Sequence, residues 1–334
     1  METRGNHILS LESLAVGFKI GRDNKTLFPA ISLAATRGEL IAVIGENGVG
    51  KSTLLRTICG LQSPVSGNVF LNGKDVNDYD RYELARNVAF ISTEQVRVSN
   101  MTVTDLVRLG RYPHTGWTGK LNADDQAIVS ESISKTGLDN LSHRYINELS
   151  DGERQRAMIA RVLAQDAEIL VMDEPTAFLD VRSRYEIIHL LHQLATTRNK
   201  TIIFSTHDLP VAISESDRIW LLFSDSMAEG SPEDLILNGN FNRLFSDSVV
   251  RFNTSDASFS FRREIRGSVR LDATGDVAYW TAKALARAGF SLSASSGYIV
   301  KAEDTGSGTK WTLTKENKSL EFKSVYDLVM VLSS

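Results

Sequence analysis

The 334-residue chain has one cysteine, Cys59, so no disulfide can close within it. A lone thiol is expected as a small buried apolar residue in a reducing compartment. Long apolar runs are also missing: none approaches the roughly 18 residues a bilayer-spanning helix needs. Residues 1–7 are polar and lack the hydrophobic stretch of a secretory leader. Any membrane role is therefore expected to come through a protein partner. Nor does charge of one sign dominate. The formal net charge of −4 gives no reason to expect nucleic acid as a partner. No internal repeat and no low-complexity segment is present. With 42% hydrophobic and 23% charged residues, the chain reads as a soluble globular protein of one large domain plus a smaller one.

What is present begins with Gly45-Glu46-Asn47-Gly48-Val49-Gly50-Lys51-Ser52, which has the Gly-x4-Gly-Lys-Ser spacing of a phosphate-binding loop. Glycines let backbone N–H groups turn toward an anion, Lys51 reaches terminal phosphates, and the Ser52 hydroxyl is placed to ligate Mg²⁺. The continuous apolar run Glu39 to Ile44 reads as a strand buried on both faces. Leu54, Leu55 and Ile58 then recur at helical spacing up to Gly60. Strand, glycine loop and helix N-terminus in that order form an anion site. Thr53, next to Ser52, joins the candidate contacts.

Along the chain, the first forty residues alternate apolar and polar and fit short antiparallel strands. Val69, Phe70 and Leu71 before Asn72-Gly73 indicate a hairpin. Apolar strand blocks follow at Val88 to Ser92, Ile169 to Asp173, Thr201 to Ser205 and Ile219 to Phe223, separated by helices, which implies a mainly parallel α/β sheet. Between Met101 and Leu149 the blocks cease and short helices are expected, one over 105–110 and one over 124–136. Beyond residue 251, pairs such as Val269 and Leu271 or Trp311 and Leu313 alternate with period two. A helix is expected from Asp276 to Ala288, with Val277, Trp280, Ala284 and Leu285 on one side. This tail carries 12 Lys/Arg against 9 Asp/Glu, +3 net, too weak to argue for a nucleic-acid surface.

Ile169 to Glu174 is an apolar strand ending in two carboxylates. Asp173 can hold Mg²⁺ through water, and Glu174 can orient a water for attack on a γ-phosphate. Two acids at a strand end could also be a solvated turn; the phosphate loop upstream favours hydrolysis. Thr201 to Asp208 repeats the arrangement with His207 just past the strand, where parallel strands discharge toward a nucleotide. Gln95 follows a third strand. Leu149-Ser150-Asp151-Gly152-Glu153 is a capping box, Ser150 with Glu153, opening the helix that carries Met158, Ile159, Val162 and Leu163. A helix start does not explain Gly152, a poor first-turn residue unless something approaches the backbone closely. A second anion would supply the reason.

These motifs resemble the ATP-binding subunits of ABC transporters. Gly45 to Ser52 is similar to Walker A, Leu170 to Glu174 to Walker B with the catalytic glutamate, and Leu149 to Glu153 to the ABC signature. Gln95 resembles the Q-loop glutamine, Phe178-Leu179-Asp180 the D-loop, His207 the switch histidine and Phe18 the aromatic that stacks on adenine. All occur in the family's order over residues 8 to 245. The resemblance implies a P-loop NTPase cassette over 1–248, with a mainly parallel sheet, an antiparallel β subdomain and an inserted helical subdomain at about 99–150. A small α+β module follows at 249–334. It implies ATP and Mg²⁺ as cofactors. The phosphate loop through Thr53, Phe18, Gln95, Ser150, Gly152 and Asp180 would contact the nucleotide, and Ser52, Gln95 and Asp173 the metal. Lys51, Glu174 and His207 would act in catalysis. A second copy is implied as partner, head to tail, so that Gly152 meets the other copy's γ-phosphate and hydrolysis acts as release. Asp151 departs from the family's usual glycine. It would repel a phosphate it faced; turned away, it suits a positive helix end, the favoured expectation.

Leu106-Val107-Arg108-Leu109-Gly110-Arg111-Tyr112-Pro113-His114-Thr115-Gly116-Trp117 is similar to the ATPases of bacterial importers for iron–siderophore, haem and vitamin B12 (cobalamin). Physically it is a short helix ending at Gly110, then a loop suited to presenting contacts, with Leu106 and Leu109 packing inward. The likeness implies integral-membrane permease subunits as partners, a periplasmic or surface substrate-binding protein acting indirectly, no nucleic acid, and a peripheral place on the cytoplasmic side of the inner (plasma) membrane. Rival readings are a non-transport ABC ATPase and an ATPase regulated by ligand binding to its C-terminal module. The resemblance does not reach residues 251–334, where dimer support, regulation and a passive appendage all stay open.

Overall fold

Leu40–Gly45, the strand leading into the phosphate loop, is buried at every residue. It lies inside a six-stranded sheet ordered Met227–Gly230, Arg218–Leu222, Leu40–Gly45, Thr201–Ser205, Ile169–Met172 and Val88–Ile91. All neighbours run parallel except the edge pair of Arg218–Leu222 with Met227–Gly230. The molecule is seen in a computed structural model that describes residues 7–333 apart from 21–22, 94–99, 117–118, 247, 255, 262, 305–307 and 317. Strands covered on both faces have no polar side. Successive side chains point to opposite faces, so Leu40, Ala42 and Ile44 enter one core while Ile41 and Val43 enter another. The expected strand blocks appear within one residue of their anticipated ends. Parallel direction places the C-terminal ends of the five parallel strands along one edge.

The antiparallel sheet is ordered Ile31–Thr36, His7–Ala15, Ser66–Leu71 and Lys74–Asp75. Its last two strands join at the expected Asn72-Gly73 turn, where both residues have positive φ, 49° and 78°. That conformation matches the twist of paired strands.

By contact the chain divides into two compact units, Met1–Asp247 with Phe252–Ser258, and Ser248–Arg251 with Phe259–Ser334. The second unit holds a sheet ordered Phe290–Leu292, Gly267–Asp272, Tyr298–Asp304, Thr309–Lys315 and Lys318–Phe322. Its core is small: Val269, Leu285, Val300, Leu313 and Leu328. The helix spans Gly275–Arg287, and one expectation fails there, because Trp280 is 67% exposed. Thr281 turns inward in its place and its Oγ1 accepts a 2.9 Å hydrogen bond from Trp311 Nε1, which satisfies both polar groups in the apolar layer. Phe259 and Phe261 are likewise exposed, on a strand of only four residues.

The helical segment comprises Val103–Arg108, a 3₁₀ turn Leu109–His114 and Ala123–Lys135, and both α-helices open on capping boxes. The first helix does not stop at Gly110. The chain tightens into the 3₁₀ turn with Gly110 against the helix Asp151–Ala164, where a Cβ would come within 2.1 Å of Arg161 O. Of the two leucines that packing would place inward, Leu106 is buried but Leu109 is 52% exposed, and Arg111 is buried instead. Arg111 Nε donates to Asp125 Oδ1 at 2.9 Å and its Nη1 donates to Ala164 O at 2.9 Å. Burial opposes ionisation of Asp125, but the Asn122 N–H and the Arg111 guanidinium outweigh it and hold the carboxyl below its ordinary range.

Removing one charge of a buried pair strands the other. Asp125→Asn should therefore cost about 3 kcal/mol at neutral pH. The carboxylate contributes stability above the usual Asp range and loses it as pH falls through its lowered native value. The gap between variant and wild type in urea melts should close on acidification; a gap independent of pH would overturn this assignment.

Candidate functional site

The phosphate loop begins where Leu40–Gly45 leaves the sheet. Gly50 has φ 115°, and a Cβ there would meet Leu27 and Phe28 at 3.0 Å, so only glycine fits. The helix Lys51–Ile58 that follows has no side-chain cap at Gly50, which leaves its first N–H groups for an anion. Lys51 Nζ donates to Gly45 O at 2.9 Å and Glu46 O at 3.0 Å, so the loop wraps its own lysine. Burial pushes the ammonium below its ordinary pKa, opposed by Glu174 and Asp173, whose charges face it across the strand ends. Ser52 is exposed, while the Thr53 side chain is buried, so Thr53 can offer an anion only its backbone N–H.

Asp173 and Glu174 follow the strand Ile169–Met172, and His207 follows Thr201–Ser205, its parallel neighbour. Asp173 is 4% exposed. Ser205 Oγ donates to Asp173 Oδ1 at 2.7 Å and accepts from the Glu174 N–H at 2.9 Å. Glu174 adopts φ 50°, a left-handed conformation costing of order 1–3 kcal/mol for a residue with a Cβ. The Ser205 bond helps to hold it. Glu174 Oε1 lies 2.9 Å from His207 Nε2. A carboxylate beside a half-exposed imidazole can accept a proton from water and orient that water.

Phe18 stands 48% exposed on the strand Gly17–Ile20, available for stacking. Gln95 lies outside the described residues. Ser150 caps the helix Asp151–Ala164 as expected, in a capping box with Glu153. Asp151 Oδ1 pairs with Arg154 Nη1 at 3.2 Å, so its charge is taken up by its own helix. Gly152 has a reason within this chain: a Cβ would meet Ser183 Oγ at 2.9 Å. Ser183 cannot easily give way, since its hydroxyl donates to Asp180 Oδ2 at 2.7 Å. Asp180 caps the helix Val181–Arg198, and that hydroxyl together with the Ser183 N–H holds its carboxyl below the ordinary range.

The structure thus brings Lys51, Asp173, Glu174 and His207 to one edge and sets Ser150, Gly152 and Asp180 beside one another. Asp151 and Arg154 share a cavity lining with Glu174, Phe178 and Leu179. A hydroxyl from Ser52 and a carboxylate from Asp173 form a sparse all-oxygen donor set, which fits Mg²⁺, an ion that keeps several waters and phosphate oxygens. Bound there, Mg²⁺ would neutralise phosphate charge. Sequence reasoning missed Ser205 and Thr93, whose Oγ1 donates to Asp173 O at 3.0 Å. The signal for Ser205 was a hydroxyl ending an otherwise apolar strand block.

Ser205→Ala leaves the Glu174 N–H and Asp173 Oδ1 short of a partner and should cost about 2 kcal/mol in chemical denaturation. Nucleotide turnover should fall more than nucleotide affinity. Wild-type turnover in the variant would show the bridge to be idle.

The ABC transporter family model matches residues 28–177, and the iron ABC transporter C-terminal domain matches residues 266–333. The tail, which sequence reading left unassigned, therefore has a family of its own. An uncharacterised ABC transporter ATP-binding protein of Methanocaldococcus jannaschii is 39% identical over 239 residues, covering 71% of this chain and 81% of the relative. The achromobactin transport ATP-binding protein of Dickeya dadantii is 36% identical, covering 65% and 81%. The ferric enterobactin transport ATP-binding protein of Escherichia coli is 32% identical, covering 68% and 84%. Among solved structures, the dimeric post-hydrolysis state of the ATP-binding cassette MJ0796 with ADP and Pi superposes with TM-score 0.59 at 27% identity, over 67% of this chain and 98% of that one. Family model, relatives and strand-end geometry agree: the chain belongs to the ABC transporter ATP-binding proteins, an ATPase cassette that carries the iron ABC transporter C-terminal domain in the same polypeptide.

Proposed function

We propose that this chain hydrolyses ATP to power a membrane importer of iron–siderophore, haem or cobalamin type. The observation that carries hydrolysis is the 2.9 Å contact between Glu174 and His207 at adjoining strand ends, in front of the loop that wraps Lys51. In this reading Lys51 binds the β- and γ-phosphates, and Ser52, Asp173 and Gln95 serve Mg²⁺. Phe18 stacks on adenine. Glu174 takes a proton from the attacking water while His207 holds the γ-phosphate end. ATP sits between the phosphate loop of one copy and Ser150 and Gly152 of a second, with Asp180 at the boundary. The dimeric structures of the similar cassette MJ0796 support that arrangement.

Iron cargo is supported by the C-terminal match at 266–333 and by relatives named for achromobactin, petrobactin and ferric enterobactin. The same match weighs against a non-transport ATPase. Integral-membrane permease subunits are the proposed direct partners, with a periplasmic or surface substrate-binding protein beyond them. No helix of the described residues is long and apolar enough to cross a membrane, which fits a peripheral subunit at the cytoplasmic face. A docking groove is at hand: Tyr82 and Tyr112 stack with ring centroids 6.0 Å apart, beside a cavity of 1020 Å³ lined also by Arg81, Glu83 and Arg86. Exposed Tyr112 presents contacts there, exposed Leu109 lines an adjoining hollow that also borders Tyr112, and buried Arg111 braces the turn.

Glu174→Gln should bind ATP, hydrolyse it at least about a hundredfold more slowly and accumulate as a dimer in size-exclusion chromatography with ATP. Normal turnover would end the catalytic assignment. Captured from detergent-solubilised membranes, the chain should bring polytopic permease subunits with it in mass spectrometry. Recovery of ribosomal or DNA-repair proteins alone would refute the importer reading.

A further inference from the structure

We infer that Arg184 is a positioning residue that ties the placement of His207 to that of the Phe178-Leu179-Asp180 loop. Its guanidinium spans both: Nη1 donates to Asp208 Oδ2 at 2.6 Å and Nη2 donates to Leu179 O at 3.2 Å. A planar guanidinium holds its donors in a rigid fork, so two acceptors on one fork keep a set separation. The pair with Asp208 is partly buried, with side-chain exposures of 34% and 18%, which strengthens a charge-assisted bond relative to one in water.

His207 stands between two anchors. On one side the Thr206 N–H donates to Val43 O at 3.2 Å, fixing that residue to the phosphate-loop strand. On the other the Asp208 N–H donates to Thr206 Oγ1 at 3.0 Å, and the Asp208 carboxylate caps the helix Leu209–Glu215 while gripping Arg184. Only the second anchor leads to another loop. Ser183, the residue before Arg184, is the group that crowds Gly152. Two adjacent residues in the first turn of the helix Val181–Arg198 therefore face the signature turn and the histidine loop. Through these contacts, a displacement of Leu179 would be passed to Arg184 and Asp208, and so to the His207 imidazole opposite Glu174. A shift of about 1 Å in a reacting geometry can cost a hundredfold in rate.

This rests on the proposal that Glu174 and His207 act on ATP, and steady-state ATPase measurements on the full chain separate the two claims. Arg184→Met should lower kcat about tenfold with KM for ATP within about twofold. Arg184→Lys keeps the charge for Asp208 but lacks the second arm, and should recover part of the loss. Asp208→Asn should reproduce the loss, and combining it with Arg184→Met should add nothing, because both cut one tie. Unchanged kcat, a rise in KM alone, or additive losses would overturn the inference. Should Arg184→Met fail to fold, Arg184→Lys and Asp208→Asn decide by the same criteria. His207→Ala tests the underlying reading: if it turns over normally, the role of His207 falls whatever Arg184 does. If it is inactive while Arg184→Met is normal, only the tie falls.

Discussion

The Ser205 hydroxyl bonds to the side chain of Asp173 and the backbone of Glu174 at once, and the spacing of the site depends on that bridge. Parallel pairing sets neighbouring strands about 4.8 Å apart, yet the ladder between these two strands reaches only Met172 and Phe204. Beyond it the chain turns sharply, with Glu174 in the left-handed region. Thr93 Oγ1 and the Ile91 carbonyl hold the Asp173 backbone from the other neighbouring strand, but the strained Glu174 backbone is held by the Ser205 bridge. With it, the acid end of one strand is registered against the histidine end of the next, and the charge that Lys51 meets is fixed.

The signature turn is governed by a different constraint, close packing within one chain. Gly152 is small because Ser183 lies against it, and Ser183 is held by Asp180. The proposed head-to-tail arrangement would also ask Gly152 to stay small, for a phosphate of a second copy, so both demands would select the same residue. Asp151 sits at the positive end of a helix and is paired with Arg154, so its carboxylate is balanced locally.

The C-terminal unit is built on a core of few residues, in which the Trp311–Thr281 hydrogen bond lets a polar residue fill an apolar layer. Its helix Val325–Ser333 carries one charged residue, Asp327. The match to the iron ABC transporter C-terminal domain makes this unit part of what distinguishes the chain from a bare cassette.

Much of the cassette was legible in the chain itself. Buried parallel strands need continuous apolar runs, phosphate loops need glycines at set positions, and helix starts need caps. These are local requirements, and they exposed the phosphate loop, the strands ending at Asp173 and His207, and the Ser150–Glu153 box. Tertiary structure alone decided which side chains lie inside where local pattern is ambiguous. Arg111 is buried and Leu109 exposed because Asp125 and Ala164 O, distant in sequence, supply the partners that a buried guanidinium requires. Thr281 displaces Trp280 for the same reason. Ser205 and Arg184 were not singled out in sequence, since their carboxylate acceptors lie 32 and 24 residues away and only folding brings them within 3 Å.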